Sequence, residues 1–172
     1  VLAAIHEVPY GTRVDVGATH VRLHPAGHVV GSAWIEIASS LGPIVLSGDL
    51  GNRESLLHPA PEQPGRAYAA ICEATYGNRT HRSREATRRE FRDVLQRAAT
   101  GRGRVLIPSF ALERTQAVLY EIHRLQRSGD LDPLPVFLDS PMAHRMTEIY
   151  RDHADAFRDE VAAFDGDATD PF

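Results

Sequence analysis

The chain has 172 residues, of which 42% are hydrophobic, so its composition allows a packed core in one domain or two small ones. Its formal net charge is −4, and no apolar run approaches the roughly 18 residues of a membrane helix, so we expect no membrane partner. Cys72 is the only cysteine, which excludes an intrachain disulfide and a cysteine-based zinc cluster and favours a reducing location such as the cytoplasm.

The first half of the chain alternates short apolar stretches with turns, which predicts an antiparallel meander of small strands. The predicted strands cover residues 14–16, 20–23, 33–38, 44–46 and 69–72, the last of them buried. Three prolines within residues 52–66 indicate a loop. We therefore expect a β-rich half that ends near residue 76.

The second half of the chain has helical periodicity, with apolar residues at i, i+3, i+4 and i+7. The expected helices cover residues 83–101, 112–125 and 141–164, the last with a break, and the expected strands cover residues 104–107 and 136–138. Ser140 followed by Pro141 marks the start of the third helix. Strands that alternate with helices are typical of a parallel α/β sheet, so we predict two domains, residues 1–76 and 77–172.

Charge is unevenly distributed, and all 19 basic residues are arginine. Residues 79–127 carry 12 arginines against 5 acids, whereas the segments before and after it are both acidic. A basic segment of this kind fits contact with an anionic polymer, although a solvated helix surface explains the pattern as well.

Three residues with metal-binding side chains follow apolar stretches of the first half. His28 lies in a turn between Gly27 and Gly31. Asp49 comes soon after the apolar residues 44–46, and Glu73 comes directly after the predicted strand 69–72. Imidazole and carboxylate groups suit zinc or manganese, and strand ends on one side of a sheet would bring them together. Ordinary turn chemistry, such as an Asx-turn at Asp49, is the alternative for each residue taken alone.

Five motifs, in this order, resemble the β-CASP branch of the metallo-β-lactamase superfamily, a group of RNA-processing nucleases. The motifs are AGHVVGSA, SGDLGN, CEATYGNRTHR, RVLIPSFALERTQ and VFLDSPMA. They are most similar to those of the bacterial and archaeal relatives of the polyadenylation-factor nuclease subunit. The resemblance implies an α/β fold: part of a metallo-β-lactamase αββα sandwich in residues 1–76, followed by the first part of a parallel-sheet β-CASP domain in residues 77–172. It also implies that the chain is a piece of a longer protein.

The resemblance assigns roles to the three candidate residues. His28 matches a histidine that binds one metal ion, and Asp49 matches the carboxylate that bridges two. Glu73 matches an acidic residue that supports the catalytic histidines without binding the metal. The family cofactor is zinc, with two ions in each intact site. The H-x-H-x-D-H signature that supplies most of the family's metal ligands is absent from this sequence, so we expect an incomplete site and an inactive chain when it is isolated.

Four further residues are candidates for RNA contact. Arg114 and Ser109 belong to the PSFALERTQ motif, where we expect a strand to meet a helix N-terminus, a geometry that binds anions. Arg114 is the leading candidate, and a solvated surface arginine is the alternative. His81 and Arg79 lie in the arginine-rich turn NRTHR.

The expected function of the complete protein is metal-dependent hydrolysis of single-stranded RNA. Two alternatives stay open: a non-catalytic β-CASP protein that binds RNA beside an active partner, and a β-CASP nuclease that cuts DNA. The sequence does not distinguish an endonuclease from an exonuclease. Because dimerisation is common in the family, a homodimer is among the expected partners.

Overall fold

A computed structural model describes residues 5–101 and 103–162 of the chain. The chain divides into two compact units, Val1–Thr75 and Tyr76–Phe172. The division lies one residue before the boundary expected from the sequence, and the identity of each unit as a domain stays a prediction. Within the described residues, no helix is both long and apolar enough to cross a membrane.

The first unit is built on a five-stranded sheet whose strands follow one another in chain order. The strands are β1 (Val14–Val16), β2 (Thr19–Pro25), β3 (Ala33–Ile37), β4 (Ile44–Leu46) and β5 (Ala69–Ile71). The first four are antiparallel, which confirms the predicted meander, and β5 runs parallel to β4. Gly17 adopts a left-handed conformation with φ 59° in the tight turn between β1 and β2.

The strand directions bring three loops to one edge of this sheet. Leu46, the last residue of β4, pairs with Ile35 of the antiparallel β3 and with Ile71 at the end of the parallel β5. The start of β3 and the ends of β4 and β5 therefore lie side by side. We call this place the loop edge, and it consists of residues 26–32, 47–52 and 72–75.

The core of the first unit is small and lies beside the loop edge. Ala26, Trp34 and Val45 are buried, with Leu50 and Ala67 packed against them. The indole N–H of Trp34 donates to the carbonyl oxygen of Glu62 at 3.0 Å, which ties the proline-rich loop to the sheet. The prediction that the last strand is buried was wrong: all three residues of β5 are exposed, because β5 is an edge strand and the described residues do not cover its faces.

The second unit is helical. Its helices are α1 (Arg84–Gly101), α2 (Arg114–Arg127), α3 (Pro141–Asp152) and the short α4 (Asp159–Ala162), with a 3₁₀ turn at Ala154–Ala156. The Ser140 hydroxyl accepts a hydrogen bond from the Ala143 N–H, which confirms the predicted N-cap. The predicted break in the last helix is confirmed between α3 and α4, while its expected end near residue 164 lies outside the described residues.

Helices α1 and α2 share the larger apolar core. Leu95 of α1 packs with Ile122 and Leu125 of α2 and with Leu131, which are all at most 5% exposed. Buried Glu121 of α2 accepts two hydrogen bonds from Arg124 and forms an ion pair with Arg88 of α1. The apolar faces that helical periodicity predicted for α1 and α2 are therefore the faces that pack against each other.

The two strands predicted in the second half were wrong. Residues 104–107 and 136–138 have no regular secondary structure, and no strand is paired within residues 76–101 and 103–162. Leu106 and Phe137 are 91% and 88% exposed. Their apolar character suits a sheet covered on both faces, but a strand forms only when a neighbouring strand satisfies its backbone hydrogen bonds.

Candidate functional site

His28 lies at the tip of the first loop of the loop edge. The Ser32 hydroxyl accepts hydrogen bonds from the backbone N–H groups of His28 and Val29, at 3.0 and 3.1 Å, and so pins the turn. Gly27 and Gly31 have φ 63° and 76°, a region in which a side chain would be strained. The flanking glycines are thus explained by turn geometry, and the turn leaves His28 exposed.

Asp49 lies in the second loop and is exposed. Gly48 before it has φ 54°, and a Cβ atom there would lie 3.1 Å from the Ala33 carbonyl oxygen. The Gly51 N–H donates to the carbonyl oxygen of Ala26 at 2.8 Å, so the loop that carries Asp49 is bonded directly to the start of the loop that carries His28.

Glu73 joins the second loop to the third. One carboxylate oxygen accepts from the Leu50 N–H at 2.9 Å and the other from the Thr75 N–H at 3.2 Å. Its own N–H donates to the Ser47 hydroxyl oxygen at 2.8 Å. The hydrogen bonds from Leu50 and Thr75 lower the pKa of Glu73 below its ordinary value, with that from Leu50 having the largest effect, and the nearby His28 acts in the same direction.

The loops that carry His28, Asp49 and Glu73 therefore lie together at the loop edge. That the three side chains form one site stays a prediction. The described residues nevertheless contain no group of three or more histidine, cysteine, aspartate or glutamate side chains able to hold a metal ion. The imidazole of His28 and the carboxylate of Asp49 are donor types that fit zinc, but two ligands do not complete a tetrahedral shell. The fit to a metal is thus partial, and further ligands would have to come from outside the described residues.

Replacing Glu73 by glutamine is expected to lower the free energy of unfolding of the chain by about 1 kcal/mol at neutral pH. A glutamine side chain has one oxygen, so one of the two backbone N–H groups would lose its acceptor. Because the folded-state pKa of Glu73 is lowered, its stabilisation is full above its ordinary value of 4.5 and is lost as pH falls through the lowered value.

Urea unfolding of both proteins at neutral pH and at about pH 3 would measure this effect. The two should differ at neutral pH and converge in acid. Glu7→Gln, which alters an exposed carboxylate of the same unit, is the control. Equal stability of the Glu73→Gln variant and the original at neutral pH would show that the bridge contributes nothing.

Arg114 is the first residue of α2 and is exposed, as is Ser109. An anion at this helix N-terminus would need free backbone N–H groups, but the first two of α2 already donate to backbone carbonyl oxygens. The Arg114 N–H donates to the Leu112 carbonyl oxygen at 2.8 Å, and the Thr115 N–H donates to that of Phe110 at 3.2 Å. This leaves the Arg114 guanidinium, rather than these amides, as the group that can meet a phosphate.

The turn before α2 contains a strained residue that the sequence analysis missed. Glu113 has φ 66° and ψ −59°. It is the central residue of a three-residue turn that is closed by the Arg114 N–H, which donates to the Leu112 carbonyl oxygen. These values and this bond define a classic γ-turn, which is rare and unfavourable for a residue with a side chain. The Glu113 carboxylate accepts a hydrogen bond from the hydroxyl of buried Tyr150 in α3 at 2.7 Å, and this contact holds the turn that carries Arg114.

Glu113→Gly is expected to give a chain about 1 kcal/mol more stable than Glu113→Ala. Both changes remove the carboxylate together with every contact it makes, but only glycine suits the left-handed backbone at φ 66°. Urea unfolding of the two variants checks this. Equal stability of the two variants would show that the turn is unstrained.

Arg79 and His81 lie close together in the second unit, and both are exposed. Each contacts the ring of Tyr76, a residue that the sequence analysis passed over. Ser32 and Ser47, which pin the loops of His28 and Glu73, were also missed. Each of these serines is next to a glycine, Gly31 or Gly48. A serine beside a glycine could have indicated a pinned turn, because serine hydroxyls bond nearby backbone groups in turns.

Known proteins are similar to the chain along most of its length. Residues 115–172, about a third of the chain, match the family model of the Beta-Casp domain. Ribonuclease TTHA0252 of Thermus thermophilus is 38% identical over 99% of this chain and 39% of its own length. RNase aCSPSF2 of Saccharolobus solfataricus is 35% identical over 83% of this chain and 28% of its own. Cleavage and polyadenylation specificity factor 73 of Drosophila melanogaster is 29% identical over 91% of this chain and 23% of its own. The chain thus spans about two fifths or less of these relatives.

Proposed function

We propose that this chain is part of a β-CASP protein of the metallo-β-lactamase superfamily, and that the full-length protein is a metal-dependent ribonuclease. The proposal rests on the convergence of the loops of His28, Asp49 and Glu73 at one sheet edge, joined by the bond from Leu50 to Glu73. Two relatives that are named ribonucleases support RNA as the substrate.

Zinc is the metal we propose, with two ions in the complete site. His28 would hold one ion and Asp49 would contact both. When bound, the metal ions supply positive charge that activates water and stabilises the charge on the phosphate. Glu73 would not bind the metal, because both of its carboxylate oxygens accept hydrogen bonds from backbone N–H groups. Its role would be to keep the Asp49 loop in position.

The phosphate backbone of RNA would be bound by charge rather than by base identity. Arg114 is the proposed principal contact, with Ser109, Arg79 and His81 as further contacts. A guanidinium group suits this role because it offers two parallel hydrogen bonds to a phosphate. We also propose a homodimer and a cytoplasmic location, the latter because the chain has a single cysteine.

The 172-residue chain by itself is expected to show no repeated turnover of RNA. Its described residues supply only His28 and Asp49 as proposed ligands, and two ligands should bind zinc weakly. Incubation of the purified chain with labelled single-stranded RNA and added zinc checks this. Several RNA molecules cleaved per chain, with the activity copurifying with the protein, would contradict the expectation.

The function is tested on the full-length protein. Bound metal would be measured by mass spectrometry, and cleavage would be assayed on single-stranded RNA and on DNA of the same sequence, before and after chelation. About two zinc ions per chain and RNA cleavage that stops on chelation and returns with zinc would support the proposal. RNA binding with neither metal nor cleavage would favour a non-catalytic RNA-binding protein, and cleavage of DNA alone would replace the substrate.

A further inference from the structure

Tyr76 is held in an unusual backbone conformation and points into solvent. Its φ is 60°, in the left-handed region that a bulky residue rarely adopts, and 58% of its surface is exposed. The turn is closed by the Arg79 N–H, which donates to the Tyr76 carbonyl oxygen at 2.9 Å. Outliers of this kind are unfavourable in themselves, and they cluster at binding sites, where strain is tolerated for function.

Two basic or ionisable side chains contact the Tyr76 ring. The guanidinium carbon of Arg79 lies 5.8 Å from the ring centroid, within the range of a cation–π interaction. The His81 ring lies 5.3 Å away, centroid to centroid, and meets the tyrosine edge-on at 81°. All three residues are exposed. We call this group of Tyr76, Arg79 and His81 the aromatic platform.

We propose that the aromatic platform stacks a nucleobase of single-stranded RNA on the Tyr76 ring. Exposed aromatic rings beside arginine are what proteins use to hold unpaired bases, because every base offers a π-face and the arginine meets the adjoining phosphate. The platform also opens the segment of residues 79–127, with its 12 arginines against 5 acids. This inference rests on the proposed binding of RNA and adds a base contact that is independent of the loop edge.

The stacking role predicts a specific order among variants. Tyr76→Phe keeps the ring and should bind RNA within about twofold of the original. Tyr76→Gly removes the ring but suits the left-handed backbone, so it should not lower the unfolding temperature. The loss of one stacked base should weaken RNA binding about tenfold in Tyr76→Gly.

The experiment uses the full-length protein with the Asp49→Ala change, so that RNA is bound without being consumed. Fluorescence anisotropy would compare an oligoribonucleotide of about 12 nucleotides with one of equal length whose nucleosides are replaced by base-free spacers. The tenfold loss in Tyr76→Gly should appear on the RNA and be absent on the spacer oligomer, which has the phosphates alone.

Equal losses on both oligomers, or no loss on either, would overturn the stacking role. A lowered unfolding temperature of Tyr76→Gly would overturn it too, because it would show that the ring packs within the folded protein. If Tyr76 has no effect while the protein without the Asp49 change still cleaves RNA, the inference fails and the proposed function stands. If that protein neither binds nor cleaves RNA, both fail.

Discussion

Asp49→Ala is expected to lower RNA cleavage by the full-length protein more than about 100-fold, since even residues that only orient metal ligands cost about 10- to 100-fold when removed. Asp49 is exposed at the loop edge, so the change removes a carboxylate without opening a cavity in the core. The fold should therefore survive. The metal content measured by mass spectrometry should fall together with the cleavage rate.

The matched control is Asp15→Ala in β1. Asp15 is an exposed aspartate of the same unit whose ion pair with Arg13 lies on the surface, where such pairs contribute little. It should leave metal content and cleavage unchanged. Full cleavage by Asp49→Ala with metal retained would remove Asp49 from the proposed site. Loss of cleavage in both variants would point to a general disturbance of the fold.

Gly51→Ala is expected to lower the free energy of unfolding by about 3 kcal/mol or more. A Cβ atom on Gly51 would overlap the carbonyl group of Gly27 and lie 2.7 Å from the His28 nitrogen. These neighbours are backbone atoms, which cannot turn aside as the end of a flexible side chain can. The change would therefore force apart the loops of His28 and Asp49 and break the hydrogen bond from Gly51 to Ala26.

Gly65→Ala is the control for this prediction, because a Cβ atom there would meet nothing within 4 Å. It should change stability by less than about 1 kcal/mol. Urea unfolding of the three proteins measures both effects. In the full-length protein, Gly51→Ala should also reduce metal binding, since it acts on the spacing of the proposed ligands. An unaltered stability of Gly51→Ala would mean that the two loops are not packed as closely as described.

The local elements of this protein were largely readable from the sequence because the forces behind them are local. The alternating pattern of residues 33–37 marks β3, the apolar spacing around Leu95 marks α1, and Ser140 with Pro141 marks the start of α3. The candidates His28, Asp49 and Glu73 were found in the same way, from their positions at strand ends. None of these inferences needed a contact between distant residues.

Where the sequence analysis failed, distant partners decided the outcome. Residues 104–107 and 136–138 have the composition of buried strands, yet a strand exists only with a neighbour to bond, and the described residues provide none. The burial expected for β5 failed for the same reason, because coverage of an edge strand is a property of the surroundings and not of the strand.

Local patterns were therefore enough to predict the strands of the first unit, the helices with their apolar faces, and the resemblance to β-CASP proteins. Three contacts appear only in the folded chain: Glu73 bridges the Asp49 loop, Gly51 touches the backbone of the His28 loop, and Arg79 and His81 meet the ring of Tyr76. The physical reason is that periodicity and turn chemistry act over a few neighbouring residues. Hydrogen bonds and steric contacts between loops depend on how the chain returns to the same place in space.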